Sequence, residues 1–145
     1  MALARELAYD ECVRLLHAGV VGRAAVATPQ GPQITPMNYS VIGEALMIAT
    51  SPYSALGTYG AGSLVAFEVD HFDYEAHTGW SVVVRGRADT VNGNDELQQI
   101  RRLWAPRPWA DGTRNLYLRI PWTELSGRSL GGDTATPVRR VIGVS

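Results

Sequence analysis

Two arginines and a serine share one face of a strand-like segment, Thr78 to Ala88 ("TGWSVVVRGRA"). Since side chains alternate along a strand, Ser81, Arg85 and Arg87 are predicted to point the same way. Trp80 and two valines take the other, core-facing side. A guanidinium binds carboxylate or phosphate oxygens through paired hydrogen bonds. The row therefore predicts either an anion site or ion pairs with acidic residues, and both interpretations stay open.

A second set of anion-binding groups directly follows a predicted strand. Thr50, Ser51 and Ser54 place three hydroxyls within five residues. The same residues are also typical of turns, where their side chains bind nearby main-chain groups. The chain lacks a Walker pattern, and "GTYGAG" (57–62) has the wrong spacing for a dinucleotide fingerprint. A phosphate would therefore be bound by hydroxyls, main-chain amides or arginine.

The stretch "DHFDYEAH" (70–77) holds residue types that bind metals. If extended, it would place His71, Asp73, Glu75 and His77 on one face. However, the stretch lies between two predicted strands, where a polar turn is expected, so we predict an acidic loop and no metal site. His71 is retained as a pocket residue that faces a substrate, because it lies close to the end of its strand.

The stretch "GRSLG" (127–131) matches the nucleophile pattern of serine hydrolases. That pattern needs a helix after the serine and a histidine further along the chain. Here "GDTATP" follows, and the last histidine is His77. We predict an ordinary strand that ends in a glycine turn.

The composition argues against several classes of function but does not identify one. The chain has 145 residues, a net charge of −1 and 13 basic residues, all of them arginine. This balance does not favour a nucleic-acid or membrane-surface partner. Without lysine, Schiff-base chemistry is excluded. The single Cys12 cannot form an intrachain disulfide.

A long uncharged segment, Ala45 to Phe67, raises the question of a membrane span. It contains Pro52, several glycines and several hydroxyls, which a spanning helix would not favour. The first residues become charged too soon for a signal peptide. We therefore expect a soluble, cytoplasmic protein.

The periodicities predict mostly strands. Leu7 to Ala18 is predicted to be a helix ending at Gly19, and a second helix begins at Asn94. Pro36 indicates an edge strand or a strand beside a ligand. Short strands at hairpin spacing predict an antiparallel barrel in one domain, 1–145, with 131–145 a loose tail. The predicted strands span residues 22–28, 33–41, 45–50, 63–69, 80–91, 116–120 and 123–130.

Three segments together resemble a known family. Residues 21–52, 65–73 and 78–88 follow one another as in the FMN-binding split-barrel family of pyridoxamine 5′-phosphate oxidase, and most closely in its nitroimidazole-reductase-like branch. The resemblance covers residues 7 to 130. It implies a mainly β fold, a split β-barrel with a few short helices. It also implies a homodimer with FMN in clefts between the subunits.

The resemblance also implies which residues contact the cofactor. Pro36, Met37, Asn38 and Tyr39 correspond to a strand that runs along the flavin ring and ribityl chain. The strand end at Ala49 and Thr50 and the serines at 51 and 54 correspond to the phosphate end of the cofactor. Where relatives carry a basic residue after that second serine, this chain has Ala55-Leu56.

The remaining implied contacts lie on the long strand. Ser81 stands where the oxidases have a cofactor-binding glutamine, and Arg85 and Arg87 would face the partner subunit and its cofactor. The C-terminal arginine–histidine substrate motif of the oxidases is missing, since the chain ends "PVRRVIGVS". Pyridoxamine phosphate is therefore not the expected substrate.

The prediction is an FMN-dependent oxidoreductase acting on a small organic substrate, with His71, Trp80 and Tyr39 facing that substrate. A flavin carries the chemistry itself, so no catalytic triad is required. Two alternatives stay open: a reductase that uses the deazaflavin F420, and a flavin-binding protein without catalysis.

Overall fold

The computed structural model describes residues 4–103 and 116–131. These residues form ten strands, two α-helices and one π-helical turn. In chain order they are β1 (Ala4–Glu6), α1 (Tyr9–Ala18), β2 (Val21–Thr28), β3 (Gly31–Asn38), β4 (Ser40–Ile42), β5 (Ala45–Thr50), the π-helical turn (Leu56–Gly60), β6 (Leu64–Asp73), β7 (Thr78–Arg87), β8 (Asp89–Thr90), α2 (Asn94–Leu103), β9 (Leu116–Pro121) and β10 (Glu124–Leu130).

The strands form two antiparallel sheets. The large sheet has the order β1-β10-β7-β6-β2-β3, and the small sheet has the order β4-β5-β9-β8. Both sheets and α1 contribute to one hydrophobic core, in which Phe67, Ile48 and Leu15 are fully buried. The two sheets keep separate edges in the described residues. This arrangement confirms the prediction of a mainly β split barrel with a few short helices.

The small sheet is covered on both sides, which explains the uncharged segment in the sequence. All six residues of β5 are buried. Leu46 and Ile48 face the main core, whereas Met47 packs in a second cluster with Val91 of the following segment and Ile100 of α2. A strand buried on both faces reads as a continuous apolar run. Among the described residues, no helix has the length and apolar character that crossing a bilayer requires.

The large sheet has one buried and one open face. Along β7, Trp80, Val82, Val84 and Gly86 are buried, as the alternation predicted, and the residues between them are half-buried or exposed. We call the side away from the core the outer face. The register of the strands aligns its side chains across the sheet. They are Arg23, Ala25, Ile34, Pro36, Leu64, Ala66, Glu68, Asp70, Ser81, Val83, Arg85, Arg87, Glu124, Ser126 and Arg128.

The structure corrects the prediction of an acidic loop over 70–78. β6 continues to Asp73 and β7 begins at Thr78, so only residues 74–77 form the turn. The Asp73 Oδ1 atom accepts hydrogen bonds from the amides of Glu75 and Ala76, both at 3.0 Å. The polar residues at the end of β6 are therefore strand residues that extend the sheet, and the loop prediction was wrong for them.

Other boundaries also differ. The predicted strand 33–41 is divided at Tyr39 between the two sheets, and the predicted strand 80–91 divides after Arg87. β1 was not predicted. The "GRSLG" serine, Ser129, lies within β10, where it pairs with Trp80, so the strand interpretation is confirmed. The predicted tail lies outside the described residues from 132 onward.

Candidate functional site

β3 forms one edge of the large sheet, which confirms the edge position predicted from Pro36. The amide of Tyr39 donates to the carbonyl of Val20 at 3.1 Å. Because antiparallel pairs alternate, Met37 also turns its main-chain groups toward β2, whereas Pro36 and Asn38 turn theirs toward the free edge. A proline is tolerated there because its missing N–H leaves no ladder bond unmade. The free edge therefore offers the Asn38 amide and two carbonyls to a ligand.

The three hydroxyl residues after β5 come together in one turn. The hydroxyls of Thr50 and Ser54 are 2.8 Å apart, and that of Ser54 donates to the Ser51 carbonyl at 2.7 Å. The Ser54 oxygen also accepts the Gly57 amide at 2.9 Å. These bonds are the turn chemistry that the sequence left open as an alternative. Thr50 is buried, Ser51 and Ser54 are half-buried, and Pro52 and Tyr53 are exposed.

Arg87 is held at the far end of the same loop. Its Nη1 donates to the carbonyl of Gly62 at 2.6 Å. The amide of Gly62 donates to Ala88 at 2.7 Å, which fixes the loop end against the chain that follows β7. The loop 51–62 carries no charged side chain of its own. Arg87 therefore brings a positive charge to a neutral loop with several hydroxyls.

Arg85 and Ser81 lie on the outer face but away from this loop. The Arg85 guanidinium is 3.8 Å from the Glu124 carboxylate, and both side chains are more than half exposed. Ser81 is aligned with Asp70 and Arg128. Six residues of strand separate Ser81 from Arg87, roughly 20 Å at 3.3 Å per residue. Ser81 therefore lies far from the loop that Arg87 contacts.

Two aromatic residues differ from the roles expected of their side chains. Tyr39 is 3% exposed and donates its hydroxyl hydrogen to the Leu16 carbonyl at 2.6 Å. Burial raises the pKa of this phenol, so it stays neutral. Trp80 is 6% exposed and belongs to the core. The expectation that these two side chains face a substrate is therefore corrected, because both are used to pack the barrel.

His71 keeps the position expected for it. It lies near the end of β6, exposed, opposite Trp80 in the register. Within residues 4–103 and 116–131, no group of three or more His, Cys, Asp and Glu residues has the arrangement of a metal site.

The structure adds a charged cluster that the sequence analysis missed. Arg23 Nη1 lies 2.9 Å from Glu68 Oε1 and 2.7 Å from Asp70 Oδ2. Burial and the neighbouring Asp70 raise the pKa of Glu68 to about 7, although Arg23 opposes the shift. The cluster borders a groove of about 310 Å³ whose walls include Ala25, Ile34 and Ala66. Only knowledge that β2 pairs with β6 would have brought these charges together.

The chain is similar to known proteins over most of its length. The model of the family described as pyridoxamine 5′-phosphate oxidase matches residues 8–129. The protein Rv0080 of Mycobacterium tuberculosis is 31% identical over 137 residues, covering 91% of this chain and 89% of that protein.

Two solved structures share the fold over most of the chain. The FAD-binding protein of Mycobacterium smegmatis is 26% identical with a TM-score of 0.68, covering 88% of this chain and 98% of that one. An FAD-binding protein of Mesorhizobium loti is 25% identical with a TM-score of 0.69 and has the same coverage, 88% and 98%.

Proposed function

Because this chain belongs to the pyridoxamine 5′-phosphate oxidase family, we propose that it is a flavin-dependent oxidoreductase that acts on a small organic substrate as a homodimer. The observation that carries the proposal is the match of nearly the whole chain to two solved proteins whose descriptions name FAD as their ligand. FMN is the flavin that the family resemblance implies, and we take it as the first candidate.

The free edge of β3 fits the polar rim of a flavin ring. The main-chain groups of Pro36 and Asn38 point away from β2, so a planar ligand alongside them can accept from one amide and donate to two carbonyls. A flavin carries both donors and acceptors along its pyrimidine edge. Met37 and Tyr39, whose main-chain groups pair with β2, support this edge from behind.

The loop 51–62 and Arg87 fit the phosphate end of the cofactor. The half-buried Ser51 hydroxyl and the Arg87 guanidinium are donors, and the loop adds no carboxylate to repel an anion. The turn through Ser54 fixes the loop shape by its internal hydrogen bonds. In this proposal the internally bonded turn and the Arg87 guanidinium orient the phosphate, in place of the basic residue that the family resemblance implies after Ser54.

A bound flavin supplies the redox chemistry, accepting or donating a hydride or single electrons. The residues of this chain bind and orient it and exclude water from its buried side. Exposed His71 is the side chain retained to face a substrate. The core aromatic residues contribute packing only.

Identification of the released cofactor tests the proposal. We expect purified protein to show flavin absorbance and to release FMN on denaturation, as identified by mass spectrometry. Release of FAD would instead identify the cofactor as the one named in the descriptions of the two solved relatives. A protein that binds F420 and neither flavin would contradict the proposal, as would bound flavin without turnover of any electron acceptor.

Asn38→Pro tests the placement of the ring on the free edge of β3. The strand already accommodates proline at the equivalent position 36, so the substitution removes one edge-facing amide without breaking the β2–β3 ladder. We expect flavin affinity to fall about tenfold, or about 1.4 kcal/mol, for one lost hydrogen bond. Fluorescence titration of the flavin measures it.

Asn38→Ala is the matched control, since it removes the same side chain but keeps the edge-facing amide. It should leave flavin affinity within about twofold, below about 0.5 kcal/mol. Equal losses from both variants, or no loss from either, would place the ring elsewhere.

A further inference from the structure

The outer face of the large sheet is uncovered by any described residue. Ile34 is 68% exposed and Leu64 is 61% exposed, while Ala25, Ala66 and Val83 between them are half-buried. Charged side chains surround this apolar centre. An exposed apolar patch with a polar rim marks a surface that associates with another molecule.

The charges on this face are unevenly distributed. On the β2–β6 side, the Arg23 guanidinium forms ion pairs with two carboxylates, those of Glu68 and Asp70. The other residues aligned with Glu68 across the sheet are uncharged. They are Val83 on β7 and, beyond Arg23, Pro36 on β3. With both carboxylates ionised, this side of the groove carries a net negative charge. It has room for a second cation.

The β7 side of the same face supplies a suitable cation. Arg85 is aligned with Ala66, and its side chain is 57% exposed. Its ion pair with Glu124 is long, at 3.8 Å, and both partners are solvated, so little energy holds it there. Arg85 is thus free to turn toward another acceptor.

We propose that the outer face docks a second copy of this chain, with Arg85 of each copy entering the groove of the other beside Glu68 and Asp70. The inference rests on the homodimer of the proposed function and specifies its surface. A two-fold axis brings the same surface of both copies into contact. Arg85 of each copy then meets the acidic groove of the other copy, so the contact forms twice. The groove walls, Ala25, Ala66 and Ile34, suit the aliphatic part of an arginine.

A charge exchange between subunits tests this pairing. Arg85→Glu and Glu68→Arg should each weaken self-association at least tenfold, because each sets like charges against one another. An equimolar mixture of the two variants should restore the dimer, since both contacts are then attractive. One contact keeps the native Arg85–Glu68 pairing, and the other pairs the introduced glutamate with the introduced arginine. Sedimentation velocity on the purified full chain measures all three states.

Matched controls separate the interface from general charge effects. Arg102→Glu on α2 and Glu75→Arg in the 74–77 turn reverse exposed charges away from the outer face. Both should associate as the wild type does. If Glu68→Arg fails to fold, as shown by its melting curve, Glu68→Gln replaces it and should weaken association, because it removes a carboxylate that would bind Arg85 of the other copy.

The outcomes also distinguish this inference from the proposed function. A wild-type dimer unaffected by either reversal, or a mixture that stays monomeric, overturns the Arg85 pairing. A wild-type monomer that nevertheless binds flavin overturns the dimer but not the cofactor. A dimer that obeys the charge exchange but holds no flavin supports this interface and contradicts the proposed function.

Proton linkage gives a second readout. In the free subunit Glu68 has a pKa of about 7, and a cation from the partner subunit favours its ionised form. Association should therefore release protons and become tighter as pH rises. From pH 6 to pH 8, we expect the dissociation constant to fall about tenfold for each Glu68 involved. The Glu68→Gln variant should lack this dependence, and an opposite slope would overturn the pairing.

Discussion

Replacing Phe67 by alanine should lower the free energy of unfolding by about 3–5 kcal/mol, the usual cost of removing a buried aromatic ring. Phe67 is fully buried and belongs to the core cluster that both sheets share. Its ring packs edge-to-face against Tyr39, with centroids 5.2 Å apart. It also fills the space over Gly22, where an added Cβ would lie 2.2 Å from the ring. Chemical denaturation followed by fluorescence measures the change.

Phe72→Ala is the matched control because it removes the same ring from the same strand. Phe72 lies near the outer end of β6 and is 45% exposed. Its loss should cost less than about 1 kcal/mol, since a half-exposed ring leaves no closed cavity. Equal costs at the two positions would mean that the core is not centred on Phe67.

Replacing Arg87 by alanine should reduce flavin affinity by about 10- to 100-fold, or about 1.4–2.7 kcal/mol. The variant removes the cation that contacts the loop 51–62 at Gly62. Charge-assisted hydrogen bonds to phosphate are stronger than neutral ones, so this loss should exceed that of Asn38→Pro. Flavin fluorescence titration at low salt measures it.

Arg102→Ala provides the comparison for Arg87→Ala, because it removes an exposed arginine from α2, away from the loop. Its flavin affinity should match that of the wild type. Melting temperatures of both variants show whether the loop stays folded without the Gly62 contact. A stable Arg87→Ala protein with unchanged affinity would move the phosphate away from this loop.

Local patterns in the sequence were sufficient to predict most of the strands. The alternation along β7 arises because one face of that strand is buried, and the continuous apolar run of β5 arises because both of its faces are buried. Each pattern is visible in the residues of the strand itself. The acidic end of β6 was misread because its charges are accommodated by neighbours remote in sequence. Asp70 pairs with Arg23, which lies 47 positions earlier in the sequence, whereas Glu68 lay inside the predicted strand.

The side-chain roles at the site depended on contacts that no local pattern contains. Tyr39 was expected at a substrate, but its hydroxyl reaches Leu16 across 23 residues of sequence. Gly19 makes that approach possible, since a Cβ there would lie 2.2 Å from the tyrosine oxygen. The sequence predicted Gly19 as a helix end, yet its φ of −82° is open to any residue. Glycine is needed there for space.

The pairing of β5 with β9 sets the order in which this chain can fold. Ala45 pairs with Pro121 and Thr50 with Leu116, so the partner of β5 is synthesised long after β5 itself. Hairpins such as β2–β3 and β6–β7 close locally and early, whereas contacts distant in sequence form late. Until β9 leaves the ribosome, the uncharged run of β5 has no strand on that side. While residues 51–115 are synthesised, the nascent chain therefore carries an uncharged apolar strand with one unpaired edge, a feature that favours aggregation.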